Sequence, residues 1–235
     1  MNDTFTSRTA ILLGEEGLAR LQQVRVILFG VGGVGSWAAE SLVRTGLVHL
    51  TIVDCDVVVE SNLNRQLMAL HSTLGQPKVE ALRNRLLDIN PEADIAAVQQ
   101  LYTRDTASQF PLDEYDYVLD CIDSLAHKAE LILRATASRA TLLSSMGAAL
   151  KIDPTRVRVS EFWQVDGCPL AATLRKRFRR AKQFPQKKFQ VVYSDEVLRQ
   201  FGQEGELGSL PHITALFGFT LAGLLVQSVV GRTKG

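Results

Sequence analysis

The sequence predicts an α/β fold with a doubly wound, mostly parallel sheet and with antiparallel and helical additions toward the C-terminus. Apolar runs of strand length alternate with helical patterns through the first 147 residues, which is typical of parallel strands joined by crossover helices. A glycine-rich turn follows the first of these runs. The length of 235 residues fits one large domain, and 46% hydrophobic with 22% charged residues fits a soluble chain able to bury a core.

The predicted elements come in a regular order. Five apolar runs predict parallel strands, at residues 24–29, 49–54, 95–98, 115–123 and 141–145. Helical periodicity predicts helices before and between them, at residues 9–21, 36–45, 76–90 and 124–138. Beyond Gly147 we predict a strand, a basic helix, a second strand and a loop rich in Gly and Glu, at residues 156–162, 170–182, 190–193 and 203–209.

Residues 30–35 fit the pattern G-x-G-x-x-G between a predicted strand and a predicted helix. Glycines at these places let the backbone approach a phosphate, and the helix N-terminus offers free N–H groups. Asp54 ends the next strand 19 residues after Gly35, where a carboxylate can accept hydrogen bonds from ribose hydroxyls. A glycine turn without a ligand is the alternative, but the strand, helix and carboxylate together favour a nucleotide in a Rossmann-like fold.

Two cations and a further carboxylate follow this motif. Arg65 and Lys78 suit an enzyme that splits a triphosphate, because charge builds on the phosphates as the bond breaks. A dinucleotide dehydrogenase has no obvious use for them. Asp123, at the tip of the predicted fourth strand, is suited to hold Mg²⁺ together with phosphate oxygens. Taken singly, Arg65 and Lys78 could be solvated surface charges and Asp123 a helix N-cap.

These motifs resemble those of the ubiquitin-activating-enzyme-like adenylation superfamily that includes ThiF, MoeB and HesA. The resemblance is carried by residues 30–35, Asp54-x-Asp56, Ser61-Asn62-x-Asn64-Arg65-Gln66, Gly75-x-x-Lys78 and Asp120-Cys121-Ile122-Asp123. Within the superfamily, the chain is most similar to the tRNA threonylcarbamoyladenosine dehydratases, through the segments 7–14, 147–155 and 191–194. The similarity runs from about residue 8 to residue 230.

The resemblance implies a set of site residues and a reaction. The residues implied to bind ATP are Gly32, Gly33, Gly35, Asp54, Asp56, Asn62, Arg65, Gln66 and Lys78. The residues implied to act in catalysis are Arg8, Arg65, Lys78 and Asp123, with Asp123 as the Mg²⁺ ligand. Arg8 is implied to reach the ATP site of the other subunit in a twofold homodimer. The family reaction is adenylation of the carboxylate of threonylcarbamoyladenosine in tRNA, followed by cyclisation with loss of water.

The resemblance also divides the chain and leaves alternatives open. We expect one domain over residues 1–235, with the ATP-binding half in 1–147 and the substrate and dimer-interface half in 148–235. Adenylation of the C-terminal glycine of a ubiquitin-like sulfur-carrier protein is the alternative reaction, although the C-x-x-C zinc pairs often found in that branch are missing. A non-catalytic nucleotide-binding protein is a second alternative. A sulfur-relay protein stays open as a further partner.

A basic segment stands out in a chain whose net charge is only +1. Residues 151–188 contain eleven basic and three acidic residues. We expect the basic helix to contact the tRNA phosphate backbone, with a solvated surface helix as the alternative. The residues expected to bind the substrate are Arg175, Lys176, Arg179 and Arg180. The aromatic residues Phe178, Phe184 and Phe189 are expected as core or hinge anchors, with base-stacking platforms as the alternative. His71, His127 and His212 lack a metal-binding spacing.

The cysteines and the apolar C-terminal segment bear on location. Cys55, Cys121 and Cys168 form no C-x-x-C pair, which predicts a reducing compartment. Cys168 is the one candidate for a thioester nucleophile, with a structural role as the alternative. Residues 213–230 predict a buried helix in the core or at a dimer interface rather than a membrane span. With no signal-type stretch in the first eight residues, we expect a cytoplasmic protein.

Overall fold

The structure is a computed structural model that describes residues 4–199 and 207–231. Of the predicted Gly- and Glu-rich loop at residues 203–209, the part up to residue 206 lies outside the described residues.

The strands, numbered in chain order, are β1 Arg25–Phe29, β2 His49–Val53, β3 Asp94–Val98, β4 Tyr117–Asp120, β5 Thr141–Ser145, β6 Val157–Glu161 and β7 Gln190–Ser194. Within the described residues these seven form one sheet in the order β3-β2-β1-β4-β5-β7-β6. All neighbours are parallel except β6 and β7, which are antiparallel. This confirms the predicted α/β class and the antiparallel addition.

The helices are α1 Ser7–Gln23, α2 Gly35–Thr45, α3 Lys78–Ile89, α4 Leu125–Ala137, α5 Pro169–Ala181 and α6 Pro211–Val230. A kink in α1 and the end of β4 differ from the sequence prediction. Helix α1 is kinked at Gly14, whose φ of 76° lies outside the helical region. Strand β4 ends at Asp120 rather than at residue 123, because the Asp120 carboxylate accepts the N–H of Ile122 at 3.1 Å and turns the chain.

The helices cover both faces of the sheet, and β1 shows why. Val26 and Leu28 point into the core beneath α2, α3 and α6, whereas Ile27 and Phe29 point into the core beneath α4 and α5. All four side chains are buried. Successive strand residues face opposite sides of a sheet, so a strand covered on both faces has an uninterrupted apolar sequence.

Helix α6 packs against helices α2 and α1 and against strands β5 and β7. Its residues Ile213, Phe217, Leu221 and Leu225 recur every four positions and are fully buried. Among the described residues, α6 alone is long and apolar enough to cross a membrane, with a mean hydropathy of 1.9 and 44% of its apolar window buried. Its buried stripe fits the expected core helix, and its remaining face stays open to solvent.

Candidate active site

The glycine turn after β1 is fixed by close backbone contacts. Gly30 has a φ of +87°, and a side chain there would lie 2.8 Å from the carbonyl oxygen of Cys121. A Cβ atom at Gly35 would come within 1.9 Å of the Gly30 carbonyl oxygen. Gly32 is different, because the nearest atom to its added Cβ is Nε2 of Gln66 at 3.7 Å. The outer glycines therefore shape the turn, and the middle of the turn is left open for a ligand.

This turn forms one wall of a cavity of about 450 Å³. The cavity lies at the carboxyl ends of β1, β2, β4 and β5, where the strand order reverses and where ligands bind in open α/β sheets. The predicted site residues that line it are Gly32, Gly33, Asp54, Asp56, Arg65, Gln66, Lys78 and Asp123. Residues 145–149, Leu170, Leu207 and Thr214 also line it.

Asp54 is held in place by the turn that it faces. One carboxylate oxygen accepts the N–H of Val31 at 2.8 Å, and the other accepts the N–H of Asp56 at 2.9 Å. Burial raises the pKa of the Asp54 carboxyl, while these hydrogen bonds and the charge of Lys78 act to lower it. The carboxylate is thus fixed at the end of β2, where it can accept hydrogen bonds from a ribose.

Lys78 lies at the first position of α3 and is held at the cavity wall by Asp56. Its Nζ atom is 2.8 Å from a carboxylate oxygen of Asp56, and only 7% of the lysine side chain is exposed. The backbone N–H of Lys78 also donates to the Asp56 carbonyl at 2.9 Å. The Lys78 hydrogen bond keeps the pKa of the Asp56 carboxyl below its usual range. An ammonium group is therefore held at the wall of the cavity.

The loop after Asp56 positions Arg65. One guanidinium nitrogen donates to the Ser61 carbonyl and to the Asn64 side chain, both at 2.8 Å. Asn62 is buried and does not line the cavity. Its side-chain oxygen accepts the N–H of Val59 at 3.2 Å, so in this structure it folds the loop that presents Arg65.

Two polar atoms at the cavity have no partner within the described residues. The side-chain oxygen of Gln66 and the hydroxyl of Tyr102 are both buried and unpaired, and both residues line the cavity. Burial raises the pKa of Tyr102, so its hydroxyl stays protonated. Since buried polar groups are normally hydrogen-bonded, these atoms are available to a polar ligand or to water in the cavity. Sequence reasoning missed Tyr102, which lies in an irregular stretch after β3.

A buried charge pair lies behind the site, and sequence reasoning missed its role. Nζ of Lys128 in α4 and Oγ of Ser144 in β5 donate to the same carboxylate oxygen of Asp120, at 2.8 and 2.7 Å. All three residues are fully buried. The other Asp120 oxygen holds the N–H of Ile122. This network fixes the turn that carries Asp123, whose side chain is exposed at the cavity.

The cysteines have no sign of activation. Cys55 lines the cavity, but burial and the neighbouring Asp56 raise the pKa of its thiol to about 11. Burial also raises the pKa of Cys121. Cys168 is 3% exposed at the start of α5 and is absent from the residues lining the cavity. Thiols with a raised pKa are poor nucleophiles at neutral pH.

The four basic residues expected to bind substrate lie on α5, and they differ in surroundings. Arg175 turns back onto its own chain, where one guanidinium nitrogen donates to the carbonyls of Phe162 and Val165 at 3.1 and 2.7 Å. Arg179 lies over the Trp163 ring, 5.8 Å from its centroid. Lys176 and Arg180 line a second cavity. Arg8 is exposed on α1 and is not among the residues lining the 450 Å³ cavity beside the glycine turn.

Comparisons with known proteins find relatives that match most of the chain. A curated tRNA threonylcarbamoyladenosine dehydratase from Bacillus subtilis is 43% identical over 190 residues, which cover 81% of this chain and 74% of the relative. A crystal structure of the Escherichia coli tRNA threonylcarbamoyladenosine dehydratase in complex with ATP is similar with a TM-score of 0.88 and 34% identity. That similarity covers 97% of this chain and 94% of the other.

A more distant relative is the Escherichia coli molybdopterin-synthase adenylyltransferase, 36% identical over 174 residues, which cover 73% of this chain and 68% of the relative. A match to a known family spans residues 6–234, almost the whole chain. The protein whose cavity is described above therefore belongs to the ThiF family.

Proposed function

We propose that this chain is an ATP-dependent tRNA threonylcarbamoyladenosine dehydratase. Adenylation of the carboxylate of the modified nucleoside and intramolecular cyclisation with loss of water are the two steps. The observation that carries the proposal is the cavity itself, where a glycine turn, a carboxylate for ribose and two cations meet. The dehydratase relative of known structure binds ATP and matches nearly the whole chain.

The cations suit the first step. A free carboxylate is a poor acyl donor because its leaving group would be oxide. When its oxygen attacks the α-phosphorus of ATP, an acyl-adenylate forms and pyrophosphate leaves. Negative charge builds on the phosphates during this attack, and Lys78, Arg65 and the N–H groups of the glycine turn are placed to offset it.

The donor set at the cavity also fits Mg²⁺. Asp123 offers a carboxylate at the cavity, and phosphate oxygens can complete the coordination that this hard cation prefers. When bound, the ion neutralises part of the charge on the leaving pyrophosphate. Asp120 and Lys128 keep the Asp123 turn in place.

The second step needs no enzyme thiol. The carbamoyl nitrogen attacks the activated carbonyl, AMP leaves, and the nitrogen loses its proton as the ring closes. Because the nucleophile is tethered to the same molecule, its effective concentration is high. The raised pKa of Cys55 and the position of Cys168 outside the cavity lining support this direct route over a thioester.

We further propose a cytoplasmic homodimer in which Arg8 completes the ATP site of the partner. Helix α1 supports this, because Ile11 and Leu12 beside Arg8 expose 68% and 67% of their surfaces. Adjacent exposed apolar residues are typical of a protein interface. Arg8 lies on this same helix and is not among the residues that line its own chain's cavity.

The test is pyrophosphate release from ATP and Mg²⁺ with tRNA that carries threonylcarbamoyladenosine. We expect release only with the modified tRNA, and a nucleoside product lighter by one water. Arg65→Ala should lower kcat by about 10²–10³-fold, because it removes a cation from the developing charge. Lys188→Ala, an exposed cation not among the residues lining the cavity, is the matched control and should leave the rate unchanged.

Two results would contradict the proposal. If pyrophosphate is released only with a ubiquitin-like sulfur-carrier protein, the reaction is the adenylation of its C-terminal glycine. Near-normal turnover in Arg65→Ala would mean that the phosphates bind elsewhere.

A further inference from the structure

A wide groove lies between α4 and α5, beside the 450 Å³ cavity at the glycine turn, which we call the ATP-sized cavity. We call it the α4–α5 groove and define it by Arg104, His127, Arg134, Lys176, Arg177 and Arg180, which line it. Its volume is about 1210 Å³, above the usual range of roughly 300–1,000 Å³ for small-molecule pockets. Its dimensions therefore suit part of a polymer better than a metabolite.

The charge of this groove is predominantly positive. Five basic side chains line it, whereas Asp105 and Glu130 are its acidic residues. Glu130 is paired with Arg134 at 2.7 Å, which leaves four basic side chains against Asp105. The cations come from three separate parts of the chain, namely the turn after β3, helix α4 and helix α5. A shared positive surface made by distant segments fits a polyanion better than the ordinary solvated face of one helix.

The groove and the ATP-sized cavity are adjacent and share His127 in their linings. Residues 100–102 line the cavity, and the next residues, 103–105, line the groove. The start of helix α4 also lies between the two, because Asp123 and Ser124 just before it line the cavity and Leu125 and Ala126 line the groove. His127 borders both. A molecule lying in the groove could therefore place one of its groups beside the phosphates of ATP.

The groove also offers an aromatic surface. Phe184 is 51% exposed and lines the groove, whereas Phe178 and Phe189 are buried. Of the three expected core or hinge anchors, Phe184 is therefore not a core residue. Exposed aromatic rings beside cations are typical of surfaces that hold unpaired nucleotides by stacking.

We propose that the phosphate backbone of the RNA substrate runs along the α4–α5 groove, so that its modified base enters the ATP-sized cavity past His127. The proposal rests on the proposed function and narrows it. Arg104 and Arg134, which lie outside the basic helix, bind the backbone together with Lys176, Arg177 and Arg180. Arg175, whose guanidinium holds the carbonyls of Phe162 and Val165, supports the fold instead.

The experiment compares two double variants that each remove two cations. The groove variant, Arg104→Ala with Arg134→Ala, removes the two cations that line the groove outside α5. The control variant, Arg139→Ala with Lys188→Ala, removes two exposed cations that are not among the lining residues. Affinity for the modified tRNA is measured from low to high KCl, ATP affinity is measured without tRNA, and thermal unfolding checks the fold. We expect the groove variant alone to lose roughly tenfold or more in tRNA affinity, and its log–log salt slope to flatten by about one to two units.

Each possible result of this experiment supports or overturns the proposed path of the RNA along the α4–α5 groove. Lost tRNA affinity with intact ATP binding and folding supports the groove. If the wild-type chain binds and cyclises the modified tRNA while both double variants behave alike, the groove is wrong and the proposed function stands. If the wild-type chain neither binds nor cyclises this tRNA, both proposals are overturned.

Discussion

At the scale of single residues, the contrast between two ion pairs shows what burial does to a charge. Lys128 and Asp120 are both fully buried, with their charged atoms 2.8 Å apart. Glu130 and Arg134 lie on the same helix α4 and are 2.7 Å apart, but 43% of the arginine side chain is exposed. Water screens the second pair and stabilises each of its charges separately. In the first pair, each charge depends on the other.

We therefore expect Lys128→Met to lower the free energy of unfolding by about 3–5 kcal/mol, because the Asp120 carboxylate loses its buried counter-charge. Arg134→Met, the matched control, should change it by only about 0.5 kcal/mol. Denaturant titration measures both. Adding Asp120→Asn to Lys128→Met should recover part of the loss, since no unpaired charge then remains. If Lys128→Met were as stable as Arg134→Met, the buried Lys128–Asp120 pair would contribute little to the free energy of unfolding.

At the scale of helices, the contact between α2 and α6 depends on one glycine. A Cβ atom at Gly218 would lie 2.5 Å from the Val34 carbonyl oxygen and 2.8 Å from the Ala38 backbone nitrogen. Backbone atoms cannot move aside as a flexible side chain can. Because α2 begins at the glycine turn of the ATP-sized cavity, a shift of α2 also moves the walls of that cavity.

We expect Gly218→Ala to destabilise the protein by about 1–3 kcal/mol through overpacking and to weaken ATP binding. Gly223, in the same helix, provides the control, since an added Cβ there meets nothing within 4 Å. Gly223→Ala should stabilise the chain by up to about 1 kcal/mol, because alanine favours the helix. Thermal unfolding and ATP titration of both variants measure these effects. Equal behaviour of the two would contradict the close contact.

The same scale shows how far the sequence predicts the structure. The run Val26, Ile27, Leu28 and Phe29 predicts a strand covered on both faces, and that is found. The end of β4 is not predictable from its apolar pattern, because it depends on the Asp120 carboxylate capturing a backbone N–H. Such a hydrogen bond depends on side-chain placement, which hydrophobic periodicity does not encode.

At the scale of the whole molecule, short sequence motifs predict part of the cavity lining. The rest of the lining depends on how distant segments of the chain pack together. The glycine turn, Asp54 and Lys78 follow strands or open helices, so their meeting at one sheet edge follows from the topology. Tyr102 and the α4–α5 groove arise from segments distant in sequence, and no spacing rule links them. The direction of Arg175 toward the carbonyls of Phe162 and Val165 is likewise set by packing.

The proposed dimer predicts that two inactive variants regain turnover when they are mixed, which a site built from one chain would not do. If Arg8 acts on the partner's site while Asp123 acts on its own, Arg8→Ala and Asp123→Asn should each be inactive alone. In mixed dimers, one site then has both residues intact. After subunit exchange at equal concentrations, half of the dimers are mixed, so we expect about a quarter of the wild-type turnover. The measurement is cyclisation of modified tRNA before and after exchange.

The control for this experiment mixes two variants whose residues act on the same chain's site. Arg65 and Asp123 line one cavity, so Arg65→Ala with Asp123→Asn leaves a defect in both sites of every mixed dimer. That mixture should stay inactive under the conditions that restore the first. If turnover recovers in both mixtures, or in neither, Arg8 does not act at the partner's ATP site. Recovery only with Arg8→Ala would show that one chain's α1 completes the phosphate site of another, because no single chain in that mixture holds both residues.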